Sequence, residues 1–362
     1  MSNFALELPF NGTSLGQCSI AIAREIYKRG LNPCIFPIGN TDLSQQKQDE
    51  GFNSWLVSNI NRAVKEHRRD TPIIKLWHLN GSLQSYSEKQ ILISFLETDD
   101  LTESEQNVIR NNNKVLFCSK EKVDLCKDFN LLNVGFIPLA FDEWNFYENR
   151  KKYHEDDRIV FGLLGKLEPL RKNHLKVIQS WAAKYGNDRR YFLNCCIWNH
   201  FLKPEDQNNI IGQILDGKRY ANIQFLGWQS TNQQYNDVLN YHDIILGMGC
   251  ESWGLPEFHS LCLGKHSVIL NYDGHKEWAD KENSVLVEPN EKIIAKDGMF
   301  FHGDKSEWNR GNFATFSTEE FLSACDSAIE RFKVNRFNSY GIKLRTEFSY
   351  QKMVSKILDY LK

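Results

Sequence analysis

Gly249-Cys250-Glu251-Ser252-Trp253-Gly254-Leu255-Pro256-Glu257-Phe258-His259-Ser260-Leu261-Cys262-Leu263-Gly264 reads as a strand end, a tight polar loop and a short helix that stops at a glycine. Pro256 suits the first helical turn, where its missing N–H costs nothing. Phe258, Leu261 and Cys262 fall on one face of that helix. Gly264 suits a left-handed C-cap, and His266 to Asn271 reads as a buried strand behind it. The carboxylate of Glu251 is thereby set in a loop at the mouth of a helix N-terminus. Free N–H groups and partial positive charge at such an end receive a phosphate or a polarised hydroxyl.

Upstream, Gly165-Lys166-Leu167-Glu168-Pro169-Leu170-Arg171-Lys172-Asn173-His174 follows the strand Val160 to Leu164 and opens another helix. Cations beside a helix N-terminus neutralise charge developing on a leaving anion. Taken alone, the segment reads equally as an ordinary basic loop at a domain boundary. Asn11 to Gln17 lacks G-x-G-x-x-G, so a dinucleotide fingerprint is not supported. Gly16 in that loop is either a turn glycine or a point of close backbone approach to a ligand. His78 and Glu97 each end a strand of the first half, at the edge where doubly wound folds place ligands. A lone strand-end histidine is also a common local hydrogen-bonder. Cys250 beside Glu251 has no Cys-His-Asn arrangement around it and reads as a packed thiol.

The rest of the chain alternates strand and helix twice over, which predicts parallel sheets covered on both faces. The expected fold class is α/β, with two doubly wound Rossmann-like domains facing a cleft. Residues 1–150 form the first domain, 151–335 the second, and 336–362 a final helix crossing back to the first. Phe52 to Glu66 is read as a helix packing through Trp55, Ile60 and Val64. Thr102-Glu103-Ser104-Glu105 carries capping chemistry for another helix. Asp142 to Asp157 is read as the interdomain linker. Asp297 to Thr315 is a glycine- and aromatic-rich insert, too long for a plain connector. Two helices, Thr318 to Phe332 and Tyr350 to Leu361, close the chain.

A chain of 362 residues accommodates two domains of ordinary size. Its net charge of −2, with both signs interspersed, lacks the footprint of a strongly basic nucleic-acid binder. Nine cysteines without a C-x-x-C pair argue against zinc and for reduced, buried thiols in a cytoplasmic protein. Met1 to Phe10 has no basic leader character and reads as a first strand. No apolar run approaches membrane-spanning length, so no integral membrane segment is expected.

Together, these residues closely resemble the signature of retaining glycosyltransferases with the GT-B fold, family 4 (glycosyl transferases group 1). That family carries Glu, seven residues, Glu, with Gly-Leu-Pro between and a small-residue-glycine ending. Glu251 fills the first position, Gly254-Leu255-Pro256 matches, and His259 stands where the family places a ribose-binding glutamate. Glu257 cannot take over that position, because two residues on a helix differ by about 200° of rotation. The family also has Gly-Arg and then a spaced cation pair after the first strand of its donor domain. Gly165, Lys166, Arg171 and Lys172 take these places, with lysine for arginine at 166 keeping charge but not bidentate geometry.

The resemblance implies Glu251, Lys172 and Arg171 as the catalytic set. It implies Lys166, Gly165, Gly254, Leu255, Pro256, His259 and Gly16 on the donor, and His78 and Glu97 as sugar or acceptor contacts. A nucleotide diphosphate sugar is implied as co-substrate, with no cofactor and no metal, because cations and helix-end N–H groups replace the divalent ion. The acceptor stays open among a glycan, a lipid-linked sugar and a small molecule. A modified nucleobase is disfavoured by the low positive charge. A non-catalytic nucleotide-sugar-binding protein is the alternative, raised by His259. The missing glycine fingerprint disfavours a Rossmann oxidoreductase.

Overall fold

Short apolar runs flanked by capped helices fold into two six-stranded parallel sheets in the computed structural model, which describes residues 4–149 and 156–361. The first sheet consists of β1 (Ala5–Leu8), β2 (Cys34–Pro37), β3 (Ile73–Leu76), β4 (Gln90–Ser94), β5 (Lys114–Phe117) and β6 (Val134–Phe136). The second consists of β7 (Ile159–Gly165), β8 (Tyr191–Ile197), β9 (Ile223–Phe225), β10 (Ile244–Gly247), β11 (His266–Leu270) and β12 (Val285–Val287). A hairpin of β13 (Pro289–Ile294) and β14 (Asn312–Phe316) follows. Helices α1 (Ser14–Lys28), α2 (Glu50–Glu66), α3 (Glu103–Asn111) and α4 (Lys120–Asp128) belong to the first domain. The second carries α5 (His174–Tyr185), α6 (Pro204–Ile214), α7 (Asn232–Tyr241), α8 (Leu255–Cys262) and α9 (Thr318–Val334). The chain closes with α10 (Ser339–Glu347) and α11 (Tyr350–Asp359).

Strands covered on both faces must be apolar nearly throughout. β3 makes one exception: Lys75 is buried, and its ammonium lies 2.8 Å from the carboxylate of Glu7, the residue in register with it on β1. The strand orders are β2-β1-β3-β4-β5-β6 and β12-β11-β10-β7-β8-β9. In each sheet the winding reverses once, between β1 and β3 and between β7 and β10. The crevice beyond the strand ends at such a point is where doubly wound folds hold ligands. The first turn of α1 carries Gly16 there, not the loop expected from Asn11 to Gln17, because the Thr13 side chain caps the helix on the Gly16 N–H. Loops carry His78 in the first domain, and Lys166 to Lys172 and Glu251 in the second.

Local chemistry explains the helix boundaries. Thr102 and Glu105 form the expected capping box at the start of α3. Pro256 lies in the first turn of α8, Gly264 has φ of +80°, and Phe258, Leu261 and Cys262 are fully buried. Three expectations need correction. Val64 does not pack: α2 buries Phe52, Leu56, Asn59 and Ala63, which leaves Val64 86% exposed on the far side. The 297–315 insert is not one irregular segment, because its end is β14, paired with a β13 that the polar run Pro289-Asn290-Glu291-Lys292 disguises. A third closing helix, α10, sits between the two foreseen; only Gly341 and Leu344 of it are buried, so its apolar period is too weak to read.

The domain boundary at residues 150 and 151 lies outside the described residues. Before it, Asp142, Asn145 and Phe146 are buried, and the Tyr147 N–H donates to Asn236 Oδ1 on α7 at 3.1 Å. At the other end of the chain, the Phe141 N–H donates to Phe348 O at 2.9 Å. From there α11 packs on α1, and Arg29 Nη2 donates to Ser355 Oγ at 3.0 Å.

Candidate active site

Gly165 ends β7 at φ +106°, and a Cβ there would lie 3.2 Å from Lys172 Nζ. The loop it begins is stitched to the Glu251 loop by backbone and side chain alike. The Cys250 N–H donates to Arg171 O at 2.8 Å, and Arg171 Nη1 donates to Cys250 O at 2.9 Å. Asn173, left-handed at φ 53°, sends its Nδ2 to Met248 O at 2.7 Å and Ala314 O at 3.0 Å. These bonds bring Lys172 and Arg171 onto Glu251. Lys172 Nζ pairs with Glu251 Oε1, and Arg171 Nη1 lies 3.5 Å from Oε2. Burial raises the Glu251 pKa, but the two cations more than offset it and hold the carboxyl at about 2.

Two helix N-termini converge here. No side chain among the described residues caps α5 or α8. The Leu175 N–H of α5 donates to Pro169 O at 3.3 Å, and Pro256 of α8 has no N–H, so only part of each first turn is left for another partner. Gly254 precedes α8 at φ +79°. A Cβ on it would lie 2.6 Å from His275 Nε2 and 3.2 Å from Glu257 Oε2, so the position admits only glycine. Among the described residues those two atoms have no hydrogen-bond partner. Burial raises the Glu257 carboxyl to about 7 and lowers His275 to about 4.

The other residues fall at different distances from this centre. Glu97 comes across from the first domain, its Oε1 4.0 Å from Arg171 Nη1. Lys166 pairs with Glu168 Oε1 at 2.5 Å, and its ammonium lies 4.5 Å from the Phe300 ring and 5.4 Å from that of Phe201. His78 is exposed at the end of β3, within electrostatic reach of Glu97 and Lys166. Leu255 and Pro256 form the first turn of α8. Gly16 has a steric reason to be glycine, since a Cβ would meet Asn11 O at 2.2 Å. His259 faces away from the charges, 4.5 Å from the Phe146 ring and 5.6 Å from that of Phe141. Burial pushes its pKa down to about 3, so the ring is neutral. The Cys250 thiol is pushed up to about 12 by burial, as befits a packed group rather than a nucleophile.

Sequence reading missed Glu168, Ser252, Asp273 and His275. Glu168 binds both Lys166 and Arg171. Ser252 Oγ accepts from Leu96 N at 3.1 Å and donates to Leu96 O at 3.0 Å, tying the Glu251 loop to the first domain. The one sequence signal for Asp273 and His275 is Asp273-Gly274, a turn dipeptide at a strand end.

Architecture and site together define the GT-B class of two-domain glycosyltransferase folds, and this chain has that fold. It is similar over 99% of its length to the sucrose-phosphate synthase of Thermosynechococcus elongatus, with a TM-score of 0.67, 10% identity and 98% of that chain covered. WaaG, a glycosyltransferase of lipopolysaccharide biosynthesis, gives 0.63 at 13% identity, with 99% of each chain covered. Anabaena HepE in complex with UDP-glucose gives 0.63 at 15% identity, with 99% of this chain and 98% of that one covered. No protein-family model matches the sequence, and a search of curated proteins finds no match to it.

Proposed function

We propose that this chain is a retaining glycosyltransferase that moves a sugar from a nucleotide diphosphate sugar to an acceptor hydroxyl. The observation that carries the reading is Glu251, held between Lys172 and Arg171 where two uncapped helix N-termini meet at the second sheet's reversal point. An incoming diphosphate takes the place of Glu251 on the cations and accepts hydrogen bonds from the N–H groups that remain open at the starts of α5 and α8. Glu251, released from Lys172, hydrogen-bonds the sugar hydroxyls and orients the anomeric carbon. The acceptor hydroxyl approaches from the side of Glu97 and His78 and passes its proton to the leaving phosphate. Lysine, arginine and helix-end N–H groups supply the positive charge, so no divalent ion is called for. That the HepE structure holds UDP-glucose supports a uridine diphosphate sugar as the first donor to try.

The acceptor classes remain a glycan, a lipid-linked sugar or a small molecule. No helix among the described residues is long and apolar enough to cross a membrane. Nine free, buried cysteines fit a reducing compartment, in line with a cytoplasmic location. One observation favours the alternative of a nucleotide-sugar binder without transfer: His259, in the ribose-contact position, is packed between phenylalanines instead of facing the cations. Calorimetric titration with a panel of nucleotide diphosphate sugars, with and without EDTA, tests both. Saturable binding unaffected by EDTA, with sugar release or transfer of retained anomeric configuration, is the expected result. Binding without turnover favours the alternative, and no binding across the panel sinks both.

A further inference from the structure

Three consecutive residues at the start of α4 are paired with one turn of the second domain, the helical turn Asp273–Glu277. Lys120 Nζ lies 2.7 Å from Glu277 Oε2, Lys276 Nζ 2.5 Å from Glu121 Oε1, and Lys122 Nζ 3.0 Å from Asp273 Oδ2. The Lys120 N–H also donates to Glu277 Oε1 at 2.8 Å. A carboxylate from the other domain thus caps a helix that Ser119 does not. Each cation of the set faces a carboxylate of the other domain.

The three pairs are not equivalent. The two outer ones each include an exposed partner, and such pairs contribute little. The inner pair is closed to water, with Lys122 and Asp273 side chains 4% and 0% exposed. Lys122 Nζ also donates to Thr98 O at 2.8 Å, which anchors it to its own domain. Asp273 sits in the left-handed region at φ 51°, a conformation that persists only where its surroundings hold it.

The same turn is the floor beneath the Glu251 loop. The Gly274 N–H donates to Glu251 O at 3.0 Å. A Cβ on Gly274 would come 2.1 Å from Ser252 O, so the two backbones are in direct contact. A continuous path therefore runs from Lys122 in the first domain through Asp273 and Gly274 to the backbone of Glu251. Burying an ion pair this completely adds little net stability, but removing one member leaves a stranded charge, so the geometry is strongly enforced.

We propose that Lys122 is a positioning residue: its ion pair with Asp273 makes the placement of Glu251 depend on the two domains being closed on each other. The role of Glu251 rests on the glycosyl-transfer reading, whereas the coupling of Lys122 to the loop does not. The test compares the full chain with Lys122→Met/Asp273→Asn, which removes both charges and strands neither. Asparagine tolerates the left-handed backbone at 273. Glu121→Gln, which breaks only an exposed pair, is the control.

Hydrogen exchange over residues 271–278 reads the coupling without any substrate. The double variant is expected to exchange at least about tenfold faster there, with the control unchanged. With the donor found in the titration panel, UDP-glucose being the first probe, kcat is expected to fall at least about tenfold while KM stays within about twofold. Unchanged exchange in a folded double variant overturns the proposal, as does an unchanged kcat. If the double variant does not fold, Lys122→Gln/Asp273→Asn, which likewise strands no charge and keeps polar groups at both positions, is read by the same two measurements. A wild-type chain that turns over no donor defeats the glycosyl-transfer reading, and the exchange result then decides the coupling by itself.

Discussion

Glu257 and His259 leave α8 in opposite directions, the carboxyl toward Gly254 and His275 and the imidazole toward Phe141 and Phe146. A glutamate at 259 would bury a charge between phenyl rings. His259→Glu is therefore expected to lower the unfolding free energy by about 2–4 kcal/mol at neutral pH. His259→Gln should cost clearly less, since it keeps a polar group but brings no charge. Thermal melts of the two variants decide. A glutamate variant as stable as the wild type would mean that position 259 turns toward the cleft.

Glu251 is the counter-charge of two cations that a diphosphate is expected to need. Glu251→Gln keeps the shape and removes the charge, so UDP should bind more tightly, by about 1 kcal/mol. Transfer should fall at least about 100-fold. Titration with UDP and product assays measure both. Weaker UDP binding in a folded variant would contradict the assignment of Arg171 and Lys172 to the diphosphate.

Gly254 and Gly165 both hold positive φ, but what a methyl group meets differs. At Gly165 it meets the far end of the Lys172 chain, which can move. At Gly254 it meets the ring of His275, which is buried and fixed by an Nδ1 contact with Leu270 O at 3.0 Å. Gly254→Ala should destabilise by at least about 2 kcal/mol and by more than Gly165→Ala. The reverse ranking in denaturant unfolding would refute the packing described around His275.

Acid should unfold this protein through its histidines. Burial lowers His174, His242 and His259 to about 3 and His275 to about 4, against an ordinary value of 6.5. The folded chain keeps them neutral while the unfolded chain takes up protons. Their contribution is complete above pH 6.5 and lost as pH falls, at up to about 1.4 kcal/mol per histidine per pH unit. Glu257, raised by burial to about 7, and Asp273, raised by burial to about 6, act in the opposite sense: the stability they contribute is lost as pH rises. The histidines outnumber them, so the melting temperature should drop between pH 7 and pH 5. His242→Phe removes one of the four and should flatten that slope. An unaltered slope would show that His242 takes up its proton equally in the folded and unfolded chains.

The parts of the molecule readable in advance are those governed by local chemistry. Gly264, Pro256 and the Thr102–Glu105 box announce their helix ends because cap residues act on their own backbone. Alternation of apolar runs announces two wound sheets. The pairing of Lys172 with Glu251 was not readable as a contact, since 79 positions separate them and only the stitched loops join them. Asp273, Gly274 and Ser252 are ordinary turn residues by type, and they matter because two domains meet there. Val64 misled because the buried face of α2 is set by what β2 offers it, not by which of its residues is most apolar.

The outgoing chain at Phe141 and the returning chain at Ser349 run side by side and parallel, joined by an isolated bridge. Both crossings between the domains thus lie at nearly the same spot. A rotation of one domain on the other would pivot about that spot, as a book opens about its spine. The Lys122–Asp273 contact joins the two pages, so such a rotation would part it.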